Sequence, residues 1–291
     1  MKLTGRRTSN NVEDRRGMSG GAKASLGIGG IIIIAVIALL KGGNLSDVVS
    51  SVTQEAMNNQ SSGQTEQTAY KPTAEEEEMA TFAKQILAST EDVWTEYFKK
   101  LGKTYQPPKM VLFTGSTQSG CGEASQATGP FYCSADQTVY LDLSFFNEMK
   151  QKYGGGGDFA YAYVIAHEVG HHVQYLLGTL DEVHNEMAQS SKKKSNQLSV
   201  RLELQADFYA GVWANHENER YSSLEDGDIE EGINAATAIG DDRLQMQAQG
   251  YTVPDAFNHG TSKQRTAWLK RGLTTGDINQ GNTFSVAYDD L

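Results

Sequence analysis

His167, Glu168 and His171 stand in the run His-Glu-Val-Gly-His, and these residue types at this spacing can do hydrolytic metal chemistry. On a helix, side chains four apart leave the same face one turn apart, so the two imidazoles can grip one Zn²⁺ at the usual Zn–N distance of about 2.0–2.1 Å. Glu168 is one residue on, rotated by about 100°, and borders such a metal without having to ligate it. From there its carboxylate can take a proton from a zinc-bound water, the HExxH arrangement. The plainer alternative is a hydrogen-bonded pair of core histidines, which the helical setting argues against. His172 leaves a different face and reads as packing or as a neighbour of the ligands.

A catalytic zinc needs a third protein ligand and an open fourth position. Glu203 and Asp207 are again four apart. Glu203 can complete the ligand set, and Asp207 can accept the second N–H of a ligand histidine and hold its ring. An isolated Glu-x-x-x-Asp would read as a solvated helix face. Here it shares its segment with Leu202, Leu204, Ala206, Phe208, Val212 and Trp213. One Zn²⁺ per chain is therefore expected on His167, His171 and Glu203.

These residues need two helices to position them. Asp158 can cap a helix that runs to Leu177, with Gly178 as its stop. A second helix is expected from Asn196 or Ser199 to Trp213, with Lys192–Lys194 as a solvated loop between the two. Upstream, Thr73 followed by the acidic run Glu75–Glu78 marks a helix start, because carboxylates favour the positive end of the helix dipole. Phe82, Ile86, Leu87, Val93, Trp94, Tyr97, Phe98 and Leu101 recur at helical spacing, and Asp92 could begin a further helix. Pro107 and Pro108 stop it. Met110–Phe113 and Thr138–Phe145 read as strands. The fold class expected is α+β, mostly helical with a small sheet.

Charge divides the 291-residue chain unevenly. Residues 1–41 hold seven Lys/Arg against Glu13 and Asp14, net +5, which leaves −16 of the whole-chain −11 to the remainder. An acidic body argues against nucleic acid as a partner, since phosphate binding needs a positive face on the folded part. Between Lys23 and Lys41 lie 17 uncharged residues, including the run Ile31–Leu40. As a helix they rise about 26 Å, the low end of a membrane span, and the flanking lysines can snorkel. A cleaved signal peptide is the alternative, but no small-x-small site follows Leu40. Six of the positive residues precede the run, which predicts a cytoplasmic N-terminus and an acidic body outside.

The expected organisation is a basic cytoplasmic segment over 1–23, a transmembrane anchor over 24–43, a flexible polar linker over 44–72 and a folded domain over 73–291. If the domain lies outside the cytoplasm, Cys121 and Cys133 should form a disulfide, worth about 3 kcal/mol in the loop-entropy picture.

HExxH followed on a later helix by ExxxD resembles the zincins whose third ligand is a glutamate. More closely, the chain resembles the bacterial neutral zinc metallopeptidase family, whose members are membrane-anchored. The matching pieces are Asn11–Gly17, the glycine-flanked apolar run, Gly129–Cys133, Val139–Phe146, His167–Gln174, Glu203–Asp207, Ile239–Arg243 and His259–Arg265. The resemblance implies a zincin-like fold and zinc dependence. It makes His167, His171 and Glu203 the ligands, Glu168 the catalytic base and Asp207 the partner of His167. Zincins often add a donor that stabilises the oxyanion, and His259 is the candidate. The strand Thr138–Phe145 could then hydrogen-bond an extended substrate. His184 and His216 are given no role, and Arg243 is expected in a structural ion pair.

Two readings follow. One is a single-pass, membrane-anchored zinc peptidase cutting proteins or peptides outside the cytoplasmic membrane. The other is a membrane-held scaffold or binding protein that keeps the fold without turnover. An intact Glu168 favours the first.

Overall fold

A computed structural model describes residues 1–18, 70–125, 128–153 and 156–291. The expected anchor (24–43) and nearly all of the expected linker (44–72) lie outside the described residues. Among those described, no helix is long and apolar enough to cross a membrane.

The first long helix, α1 (Ala74–Lys100), starts where the acidic run predicts. Thr73 Oγ1 accepts from the Glu76 N–H at 3.2 Å, and the Glu76 carboxylate accepts from the Thr73 N–H at 2.7 Å. This reciprocal cap satisfies two donors that the helix itself leaves open. Asp92 begins no new helix, because α1 runs through it unbroken and buries Ile86, Leu87, Val93, Trp94 and Phe98 on one side. Leu101, expected on that stripe, is exposed.

The sheet is small and mixed. Its strands are β1 (Val12–Asp14), β2 (Lys109–Phe113), β5 (Phe131–Cys133) and β6 (Thr138–Asp142), in the order β1-β2-β6-β5. β1, β2 and β6 run parallel, and β5 is antiparallel to β6. A separate hairpin joins β3 (Ser116–Ser119) and β4 (Gly122–Ser125). Two sequence expectations change here. β6 ends at Asp142, and Ser144–Glu148 turns into the short helix α2. β6 is also interior, paired on both sides, so it has no free edge to offer a substrate. β5 is the strand at that end of the sheet.

The domain does not begin at Thr73. Residues 1–18 are part of it: β1 pairs with β2 in the register Val12↔Met110 to Asp14↔Leu112. The arginines that gave the head its positive charge meet carboxylates of the body, Arg6 with Glu217 at 2.6 Å and Arg7 with Asp92 at 2.6 Å.

The core is helical. α3 (Asp158–Leu177) and α4 (Thr179–Ala188) are separated by Gly178 at φ 86°. α5 (Lys192–Tyr221) is 30 residues long and begins earlier than expected. Ser191 caps it, so Lys192–Lys194 form its exposed first turn and not a loop. α6 (Asp228–Ala238), α7 (Asp241–Gln249) and α8 (Ser262–Thr275) follow.

Glycine sets how closely the helices approach. A Cβ on Gly170 of α3 would sit 3.0 Å from the Ala206 carbonyl oxygen of α5. One on Gly272 of α8 would sit 2.0 Å from the Phe208 carbonyl oxygen, and one on Gly211 of α5 would sit 2.3 Å from the Leu269 carbonyl oxygen. Backbone cannot yield there as a side chain can. Gly272→Val is expected to destabilise the domain by about 1–3 kcal/mol or more through overpacking. Denaturant unfolding of the parent and the variant measures it, and an unchanged midpoint would contradict the close α5–α8 contact.

Candidate metal centre

Helix α3 brings His167 and His171 to one face, and α5 crosses it at Gly170 and Ala206. The crossing point lies between the two histidines on one helix and between Glu203 and Asp207 on the other, so the four residues converge. His167 Nε2 lies 3.1 Å from one Glu203 oxygen, and His171 Nε2 lies 3.4 Å from the other. One ligand atom from each residue falls within 4.8 Å of the others. Two imidazole nitrogens and a carboxylate are the donor set that zinc takes in catalytic sites, with a position left for water or substrate.

The outward nitrogens are fixed as such a site requires. His167 Nδ1 bonds Asp207 Oδ1 at 2.8 Å, and His171 Nδ1 bonds Gln174 Oε1 at 2.9 Å. Each Nδ1–H donates, which leaves both Nε2 lone pairs facing Glu203. Burial alone would lower the pKa of His167, but the carboxylates of Asp207 and Glu203 outweigh it and push it up to about 10.

Glu168 is buried, and burial raises its pKa against the opposing pull of His167 and His171. The Tyr132 main chain of β5 lies near enough to favour its charged form. A carboxylate with a raised pKa, beside but outside the ligand set, suits proton transfer.

Behind the ligands lies a buried network of which the sequence reading saw only Asp207. Its carboxylate has no exposure to solvent. Arg265 from α8 grips it with two prongs, Nε to Oδ2 at 2.8 Å and Nη2 to Oδ1 at 3.0 Å. The Tyr163 hydroxyl donates to Oδ1 at 2.5 Å. Burial would raise the pKa of Asp207, but Arg265 and His167 hold it below the usual carboxylate value. Tyr163 was legible in principle, since it precedes His167 by four and shares its helix face. Arg265 closes the His259–Arg265 segment, but nothing in its spacing tells which carboxylate it meets.

His259 lies beside the centre, close enough to Glu203 for their charges to interact. Its Nδ1 bonds Asp241 Oδ1 at 3.2 Å, and the other Asp241 oxygen accepts the main-chain N–H groups of Asn258, His259 and Gly260. Partial burial disfavours charge on His259, but the Asp241 hydrogen bond prevails and raises its pKa. Asp241 was not legible as its partner, because the run Gly240–Arg243 points to a local ion pair at Arg243. That residue is exposed and forms no ion pair among the described residues, so the expected ion pair is corrected to Asp241–His259.

The remaining residues fall away from the centre. His172 is fully buried. Its Nε2–H donates to the Gln106 carbonyl at 2.6 Å, and its Nδ1 accepts from the Tyr132 hydroxyl at 2.8 Å. It therefore ties β5 to α3 as a packing residue. His216 bonds the Gly276 carbonyl, and His184 is exposed. Cys121 and Cys133 are disulfide-bonded, fastening β5 to the β3–β4 hairpin.

Residues 1–284 match the family model described as "Putative neutral zinc metallopeptidase". The chain belongs to this family. It is 50% identical to "Uncharacterized protein YpfJ" of Escherichia coli K12, over 98% of this chain and 99% of that protein. It is 44% identical to "Uncharacterized protein Rv2575" of Mycobacterium tuberculosis H37Rv, over 68% of each. No solved structure matches the chain.

Removing Arg265 should leave the Asp207 charge buried without its counter-ion. Arg265→Gln is expected to cost about 3–5 kcal/mol of stability, and adding Asp207→Asn should recover much of that loss. Arg265→Lys should recover less than full stability, because an ammonium cannot reproduce the two-pronged grip. Denaturant midpoints of these variants and of Asp207→Asn alone test this, and additive losses in the double variant would refute the pairing.

Proposed function

We propose that this chain is a zinc-dependent peptidase that hydrolyses peptide bonds in protein or peptide substrates. The observation that carries the reading is the convergence of His167 Nε2, His171 Nε2 and the Glu203 carboxylate, with the buried, non-ligating Glu168 next in sequence to His167. Bound on those three side chains, zinc would polarise the scissile carbonyl and make water a competent nucleophile near neutral pH. A purely structural site would close the fourth position and have no use for a carboxylate at 168.

The chain's own residues supply the rest. Glu168 accepts the proton of the attacking water on a carboxylate oxygen and delivers it to the nitrogen of the departing amine. Asp207, held by Arg265 and Tyr163, keeps the His167 ring in place while this happens. His259, steadied by Asp241, donates from its free ring nitrogen to the carbonyl oxygen as negative charge develops there. The substrate backbone pairs with β5, the end strand of the sheet, whose Tyr132 main chain borders Glu168. A zincin-like arrangement of sheet edge over metal helix is the fold consistent with these roles.

The Cys121–Cys133 bond supports a place of action outside the cytoplasm, where disulfides persist. The uncharged run between Lys23 and Lys41 supports attachment to the cytoplasmic membrane.

Glu168→Gln should bind zinc as the parent does, one per chain, and lose casein cleavage by about 10²–10⁴-fold. Chelation should abolish cleavage by the parent, and added zinc should restore it. Metal analysis alongside a fluorescent-casein assay measures both. Equal turnover by parent and variant would sink the assigned base, and full zinc loading without turnover on a broad peptide library would favour the scaffold reading.

A further inference from the structure

The domain carries a surface shaped for a basic, extended segment, and the metal centre makes no use of it. One part is the outer edge of β2, where the Met110 N–H donates to the Asn11 carbonyl at 2.8 Å and the Arg15 N–H donates to the Leu112 carbonyl at 2.7 Å. Another is Glu217 of α5, whose side chain is fully buried and accepts the Ser89 hydroxyl on one oxygen. Arg6 supplies its counter-charge and lays its guanidinium over the Tyr221 ring, 3.5 Å from the centroid. Farther along, Arg7 meets Glu91 and Asp92, and Asn11 donates to Glu91 at 2.8 Å. The Arg16 side chain is only 3% exposed; it binds Asp14, Glu77 and the Glu76 carbonyl.

The two ends of the chain that flank residues 19–69 also meet. A Cβ placed on Gly17 would fall 2.2 Å from the Tyr70 side chain. Residues 17 and 70 thus lie side by side on the domain.

Residues 1–18 of the chain occupy this surface, and we infer that they lie on the same side of any membrane as residues 70–291. A bilayer's hydrocarbon core is about 30 Å thick, and strands joined by hydrogen bonds of 2.7–2.8 Å cannot stand on opposite sides of it. Arg6, Arg7, Arg15 and Arg16 are all in ion pairs within the domain. Arg6, Arg7 and Arg16 neutralise carboxylates of the body, and Arg15 pairs with Glu13 within the segment, so the charge asymmetry of the sequence is no longer free to place the N-terminus in the cytoplasm. Whichever side the domain takes, residues 1–18 take too. None of this depends on the peptidase reading.

The test uses the full chain, with Thr8→Cys or Lys103→Cys introduced singly where Cys121 and Cys133 are serine; both positions are exposed. A membrane-impermeant maleimide is added to cells whose cytoplasmic membrane is intact, and again after permeabilisation. The inference expects both positions to react alike, either both before permeabilisation or both only after it. Reaction of one before and the other only after would overturn it. A second measurement keeps the native cysteines. Arg6→Ala should lower the Tm by at least about 4 °C, because it leaves Glu217 buried without its partner. An unchanged Tm would show that the segment is not docked.

Discussion

The carboxylate of Asp207 has no contact with solvent, and much of the molecule is arranged so that it can stay charged. A lone buried carboxylate would take up a proton and lose its value as an acceptor. Arg265 prevents this by bringing the last long helix, α8, against α5, and that approach requires glycine at 211 and 272. Tyr163 adds a donor from α3. What remains of the Asp207 acceptor capacity goes to His167 Nδ1, which sets the tautomer of the ring and turns its Nε2 outward. The orientation of one candidate ligand is thus tied to the packing of three helices.

The other candidate ligands are fixed by simpler means. His171 is held by Gln174, one turn along the same helix, and Gln174 is itself anchored on the Leu202 carbonyl of α5. Glu203 needs no outside support beyond the two imidazoles it faces. Gly170 lets the α3 and α5 backbones come close enough for both pairs to meet. The glycine of the His-Glu-Val-Gly-His run is therefore a packing residue in the middle of a chemical motif.

The sheet sits to one side and serves the site through β5. Tyr132 hydrogen-bonds His172 with its side chain and borders Glu168 with its main chain, and Cys133 ties the strand to the β3–β4 hairpin. A three-residue strand would have little stability alone. Fastened in these ways, it holds a defined position beside the helix that carries His167 and His171. At the opposite edge, β1 covers β2, so a chain segment more than fifty residues away in sequence completes the sheet.

The sequence by itself determined the local chemistry and the helices that carry it. His167, Glu168 and His171, and then Glu203 and Asp207, were legible because helical periodicity converts a spacing of four into a shared face. The Thr73 cap and the Gly178 stop were legible because capping is a contact between neighbours in sequence. The Cys121–Cys133 pair was legible from residue type and short separation. Only the tertiary structure decided what spacing does not encode. It paired Asp207 with Arg265, 58 residues on, and His259 with Asp241 in place of an Arg243 ion pair. It made β6 interior and β5 the end strand, since strand order depends on which edges meet in space. It folded residues 1–18 into the domain, because a positive charge in sequence does not say whether it will face a membrane or the protein's own carboxylates.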